Sequence, residues 1–254
     1  MATIEEEYID NWDELSLRIN EYFTHFNNYI FRGQSNKDWK LESTLSRALK
    51  LAGYMASERH SVTRGHLYKF KENIRGRVNL DLGKASDDEV WALGQHFGLA
   101  TPLLDWTRSP YVALFFALNG CSKDDECALY AIFEMDVERI AKKKGASQRN
   151  VHIVSPLTHF NDRLVNQRGL FMHIPPHIDL AGWIRSGEDL DWITMYKITF
   201  PGAIREQAMS ALNNMNINSL SLFPDIHGSS LHTNYELAIE PYLHKKRKED
   251  NGLG

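Results

Sequence analysis

The sequence predicts a single α+β domain, and three observations carry that prediction. Its 254 residues are 43% hydrophobic and 24% charged, the balance of a globular chain long enough to bury one sizeable core. Helical periodicities fill the first half, whereas strand-like runs collect in the second. No internal repeat, low-complexity tract or Pro/Gly/Ser linker divides the chain. Residues 1–26 therefore read as an N-terminal helical segment, 27–243 as the domain proper and 244–254 as a basic, disordered tail.

Taken in order, Ile4 to Phe26 carries Ile9, Trp12, Leu15, Leu17, Ile19 and Phe23 at the spacing of an amphipathic helix. "NNYIFRGQ" reads as a turn at Asn27 and Asn28, a β-prone run from Tyr29 to Phe31, and a stop at Gly33. Ser43 or Thr44 caps the next helix, and Arg59 to Leu80 is helical and mostly polar. Ser86 caps a further helix, with Asp87, Asp88 and Glu89 suiting the positive end of its dipole. "TPLLDW" reads as a loop into "SPYVALFFALNG", where Pro110 takes the first helical position and Gly120 closes the helix. That helix is apolar nearly all round, so it belongs in the core. "ECALYAIFEMD", "DWITMYKITFP" and "NYELAIEPYL" read as strands, "GAIREQAMSALNNMNI" as a helix and "FPDIHG" as a turn.

Bulk properties exclude several functions. The net charge of -4 gives no whole-chain attraction to nucleic acid or membrane, although Lys142–Lys144 and Lys245–Lys248 are compact basic clusters. Two cysteines, Cys121 and Cys127, make neither a disulfide framework nor a zinc site. The acidic start lacks a secretory pattern, and no apolar run nears the ~20 residues of a membrane span. The expectation is a cytoplasmic protein without membrane contact.

Four places hold residues suited to chemistry. Arg32 follows an apolar strand and needs an anionic or carbonyl partner, either a carboxylate of the fold or a ligand phosphate. In the second case, Gly33 lets the backbone pass close to that ligand. Asp105, Thr107, Arg108 and Ser109 gather at the mouth of the buried helix, where Asp105 or Ser109 either caps it or lines a ligand wall. His96 is either a structural residue or a base. On a strand, Glu236 and Glu240 share a face, which either is an exposed edge or lines a cleft. Phosphate-loop, dinucleotide-fold, zinc-protease and serine-hydrolase motifs are absent from the sequence.

Four ordered motifs, "FRGQSNKDWKLESTLSR", "LGQHFGLATPLLDWTRSPYVALFFAL", "NDRLVNQRGLF" and "SLFPDIHG", resemble the FRG domain family. More distantly, "IFRG", "TRSPYVALFF" and "NYELAIEP" are similar to the three motifs of the R-S-E class of ADP-ribosyltransferases. That resemblance implies a split, mostly antiparallel sheet around an NAD cleft, with helices about it. It makes Glu236, Arg32 and Thr107 the catalytic set. Arg32, Gly33, Tyr29, Asp105, Trp106, Ser109 and His96 are then the NAD-binding residues. The turn reads T-R-S rather than S-T-S, and Asn234 stands where the class has Glu or Gln. NAD is implied as co-substrate and no metal is required. The implied acceptor is a macromolecule, RNA, DNA or protein, and the implied setting is a toxin or anti-phage effector with a neutralising antitoxin-type partner. Water as acceptor would make an NAD glycohydrolase, and a site without turnover would make a nucleotide- or nucleic-acid-binding module.

Overall fold

The computed structural model describes residues 2–23, 28–78, 80–144, 150–156, 162–186 and 192–250. Its spine is one seven-stranded sheet. The strands are β1 (Ala2–Tyr8), β2 (Tyr29–Gln34), β3 (Leu103–Thr107), β4 (Glu126–Phe133), β5 (His152–Val154), β6 (Gly169–His173) and β7 (Ile193–Pro201). Their spatial order is β1-β7-β4-β2-β3-β6-β5. Only the β1–β7 pairing is parallel; the other five are antiparallel. The α+β expectation holds.

The sheet is laddered unevenly. β4 runs in register with β2 from Tyr29↔Phe133 to Gln34↔Ala128, and β3 pairs with β6 along its whole length. Between β2 and β3 a single pair, Phe31↔Thr107, joins the two halves. Beyond it the strands diverge, and the sheet opens into a wedge.

Strand alternation assigns the two faces. On one, Phe31, Cys127, Leu129, Ala131, Ile198 and Phe200 meet three helices: α1 (Trp12–Phe23), α5 (Pro110–Asn119) and α9 (Arg205–Asn214). As its composition required, α5 is buried nearly all round. The opposite face sends Ile30, Tyr130, Ile132, Trp106 and Met172 against α6 (Glu134–Lys144) and α8 (Leu180–Ser186). A third cluster packs α2 (Thr44–Leu51), α3 (Ala56–Asn73) and α4 (Asp87–His96) over Leu103, Val154 and Phe171 of the β3-β6-β5 half. Ser43 and Ser86 cap α2 and α4 as expected, the latter in a reciprocal capping box with Glu89.

Several sequence expectations are corrected. Residues 2–8 form the edge strand β1, not the first turns of a helix, and α1 begins only at Trp12. "TPLLDW" is largely β3: four of its five strand residues are buried and only Asp105 is exposed. "NYELAIEPYL" is no strand. It lies within α11 (Ile226–Asp250), which follows α7 (Asp162–Asn166), the 3-10 turn Gly202–Ile204 and α10 (Ser219–Leu222) in the chain. The run His244–Asp250, expected to be disordered, continues that helix. Asn27, Asn161, Asp191, the Lys144 side chain and the last four residues fall outside the described set.

Candidate functional site

The wedge is where the chemistry-bearing residues meet. Phe31, Arg32 and Gly33 from β2, Asp105, Trp106 and Thr107 from β3, and Ala113 and Phe116 from α5 line a cavity of about 360 Å³. Gln167 and Phe223 close it from the segments before β6 and after α10. A second cavity, about 490 Å³, is lined by Arg32, Gln34, Asp38, Trp39, Lys40, Glu42 and Arg47. Arg32 is common to both.

Arg32 is partly buried, with 19% of its side chain exposed. Its Nη1 donates across the gap to the Asp105 carbonyl at 2.7 Å, while the nearest Asp105 carboxylate oxygen stands 4.0 Å away. Its Nε is buried without a hydrogen-bond partner. A guanidinium carries five donors, and those contacts leave it under-satisfied. Desolvation lowers its pKa from the usual arginine value, and Asp105 opposes that shift.

The neighbouring groups fall into two kinds. Asp105 presents an exposed carboxylate, held by Gln95 Nε2 at 2.8 Å. Trp106 is buried, with an indole nitrogen that lacks a hydrogen-bond partner. The Thr107 hydroxyl, by contrast, is committed to the fold: it donates to the Gln167 carbonyl at 2.6 Å and accepts from the Ser109 amide at 3.0 Å. Ser109 proves to be the cap of α5, accepting from Val112 N. Arg108 forms a two-pronged pair with Glu134, at 2.9 and 2.6 Å. Both of its prongs are spoken for.

Gly33 has a structural reason as well. A β-carbon there would stand 1.9 Å from the Ala113 carbonyl oxygen and 2.8 Å from the Ala117 nitrogen. The glycine lets α5 lie against β2, and the wedge is shaped by that close approach.

Three candidates stand apart. The Tyr29 ring packs edge-on against Phe23 and Phe133 at 5.1 and 5.3 Å, and burial pushes its hydroxyl pKa up. It sits in an aromatic cluster rather than in either cavity. His96 is exposed at the end of α4, edge-on to Phe97. Glu236 lies mid-helix in α11, 66% exposed, with His232 Nε2 at 3.7 Å as its neighbour. It lines neither cavity, so the strand-borne cleft carboxylate expected from "NYELAIEP" is not formed. Beside Thr107, across the Thr107↔Gly169 pair, the residue that reaches the wedge is Gln167.

Sequence reading missed Gln167, Phe223, Gln95, Trp39 and Arg47. Two of the four motifs, "NDRLVNQRGLF" and "SLFPDIHG", already contained the first two. The motifs converge because Arg108 N donates to Arg168 O and Gln167 Nε2 donates to Leu222 O. Arg168 takes φ 46° to make that turn.

Residues 27–126 match the family model of the FRG domain. The chain carries an FRG domain. No curated protein and no solved structure matches the chain. The FRG match takes in Arg32, Gly33, Asp105, Trp106, Thr107 and the whole of α5. Gln167 and Phe223 lie beyond the match, yet they complete the same cavity.

Among the described residues one other cluster has the composition of a metal site: Asp88, His152 and His173, whose donor atoms lie within 4.8 Å of one another. It sits under α4 on the β5–β6 edge, remote from Arg32 in sequence and formed by other strands.

Proposed function

We propose that the FRG domain binds NAD in the wedge and transfers its ADP-ribose to a macromolecule. The observation that carries this reading is Arg32: an under-satisfied guanidinium where β2 and β3 share a single ladder pair, bordering two cavities. A dinucleotide has a doubly charged centre between two flat rings. Arg32 suits the pyrophosphate. The cavity walled by Phe31, Trp106, Phe116 and Phe223 suits nicotinamide. Trp39, 57% exposed beside Lys40 and Arg47, suits the adenine end.

Transfer breaks the bond between ribose C1′ and the nicotinamide nitrogen. Nicotinamide leaves with the bonding pair, and C1′ passes through an oxocarbenium-like state before an acceptor nucleophile bonds to it and gives up a proton. A carboxylate near C1′ stabilises that positive charge. Asp105 is the carboxylate at the wedge, and it takes the role that the strand reading gave to Glu236. Thr107 shapes the floor through its bond to Gln167 rather than offering a free hydroxyl. No metal enters this chemistry.

The acceptor we favour is a nucleic acid. Exposed Lys245, Lys246, Arg247 and Lys248 at the end of α11 form a compact basic run, with Lys245 and Lys246 beside Glu249 and Arg247 beside Glu240. Unrestrained modification of nucleic acid harms its host, so a toxin or anti-phage role with a neutralising partner accords with this activity.

A second reading, nucleotide binding without turnover, is favoured by Gln167, a neutral amide, reaching the wedge beside Thr107. One assay separates the readings. The protein is mixed with NAD labelled in its adenylate half and, separately, with cellular RNA, DNA and protein. Label on RNA or DNA supports the proposal. Label on protein corrects the acceptor, and free labelled ADP-ribose indicates a glycohydrolase. Bound but intact NAD indicates the binding module.

A further inference from the structure

The Asp88, His152 and His173 cluster is independent of the wedge and of NAD. Three separate elements build it. His152 and His173 are direct cross-strand partners of β5 and β6, and the alternation of those strands turns both rings to the α4 side, with Val154 and Phe171. The rings lie parallel, 4.7 Å apart with an interplanar angle of 11°. Asp88, in the first turn of α4, sends its carboxylate to both: Oδ2 is 2.8 Å from His152 Nε2 and Oδ1 is 3.3 Å from His173 Nδ1. His173 is fully buried and His152 is 4% exposed. Asp88, a quarter exposed, is the side open to solvent.

Counting protons shows what this arrangement lacks. His152 Nδ1 faces the Asn150 carbonyl at 2.9 Å and can only donate there. In the neutral ring the Nε2 lone pair then points at a carboxylate oxygen, acceptor against acceptor. His173 fares no better, because neither of its ring nitrogens makes a hydrogen bond inside the fold. Protonating His152 would mend the first contact and leave the second. A cation among the three donors mends both contacts with Asp88 and leaves only the far ring nitrogen of His173 without a partner.

We propose that Asp88, His152 and His173 form a binding site for one divalent transition-metal ion of the zinc class. Two imidazoles and one carboxylate suit such an ion far better than magnesium or calcium, which want oxygen ligands. The Nδ1 bond from His152 to a main-chain carbonyl is the outer contact that orients a metal-binding imidazole and fixes its tautomer. With three protein ligands the remaining position falls to water on the Asp88 side. The ion ties α4 to the β5–β6 edge. At its other end α4 carries Gln95, whose amide holds Asp105.

The test uses the full chain, stripped with chelator and titrated with Co²⁺ or Zn²⁺. One equivalent of Co²⁺ per chain should bind, with the visible bands of a low-coordinate nitrogen–oxygen site, and Zn²⁺ should displace it and raise the melting temperature. Asp88→Asn and His152→Gln should each lose the bands and weaken binding on the order of a hundredfold, at the upper end of what even an outer-shell change costs. Unchanged bands in both variants would place any bound metal elsewhere and overturn the proposal. So would a wild-type chain that binds no Co²⁺ and melts identically with and without Zn²⁺, since the cluster would then be an ion pair only. Should a variant fail to fold, the wild-type stoichiometry and bands decide.

Discussion

Arg32 and Arg108 follow similar apolar-to-polar transitions, one in β2 and one just past β3, and the fold treats them differently. Arg108 has a two-pronged carboxylate partner: two nitrogens meet the two oxygens of the largely buried Glu134, and its main-chain amide joins Arg168. Arg32 holds one carbonyl, stands 4.0 Å from an exposed carboxylate, and buries an Nε without a hydrogen bond. Burying a guanidinium costs free energy that the fold normally offsets with partners. Where the fold leaves that offset incomplete beside a cavity, a ligand can complete it. Arg108 serves the fold, and Arg32 is the arginine proposed to meet a ligand.

Substitutions at and around the two arginines separate their roles. The greatest change lies beside Arg32 and concerns the fold. Gly33→Ala drives a β-carbon into the α5 backbone and should cost about 3 kcal/mol or more, measured by urea unfolding. Next, Arg32→Gln should weaken NAD binding on the order of a hundredfold, the worth of charge-assisted hydrogen bonds. Its melting curve should stay close to wild type. Arg108→Gln should show the reverse. It should lose about 1–2 kcal/mol of stability, because Glu134 is left without its fork, and should bind NAD as before. Asp105→Asn separates binding from turnover: NAD affinity should be nearly kept while transfer falls at least about tenfold. Least of all, Glu236→Ala should change stability by under about 0.5 kcal/mol and leave transfer intact, because this side chain lines neither cavity.

How much of this was legible depended on how local each signal was. Ser43 and Ser86 were readable as caps because a cap is decided within four residues. The buried α5 was readable because every face of it is apolar. β3 was missed because it has only five residues after a proline, and its exposed Asp105 imitates a loop. "NYELAIEP" alternates well enough to imitate a strand. Its less exposed positions, Tyr235, Ile239 and Tyr242, are nevertheless spaced as on a helix, and Pro241 stands inside that helix without ending it. That one misread period removed Glu236 from the expected cleft.

The site itself was half legible. Arg32 and Asp105 could be nominated because charged residues stood at the ends of apolar runs, and Trp106 through the family resemblance. Gly33 was nominated for a different reason from the one the fold reveals, since its missing side chain makes room for a helix. Thr107 and Ser109 looked available, but their hydroxyls serve Gln167 and the start of α5. Asp88, His152 and His173 carried no spacing signal at all. Only strand register and the placement of α4 bring them together.

Whether Arg32 is a ligand-binding arginine is decided by a calorimetric titration of NAD into three proteins. Wild type and Arg108→Gln should bind NAD with equal affinity, and an Arg32→Gln variant that remains folded should lose binding. Equal binding by all three proteins, or no binding by wild type, would contradict that role.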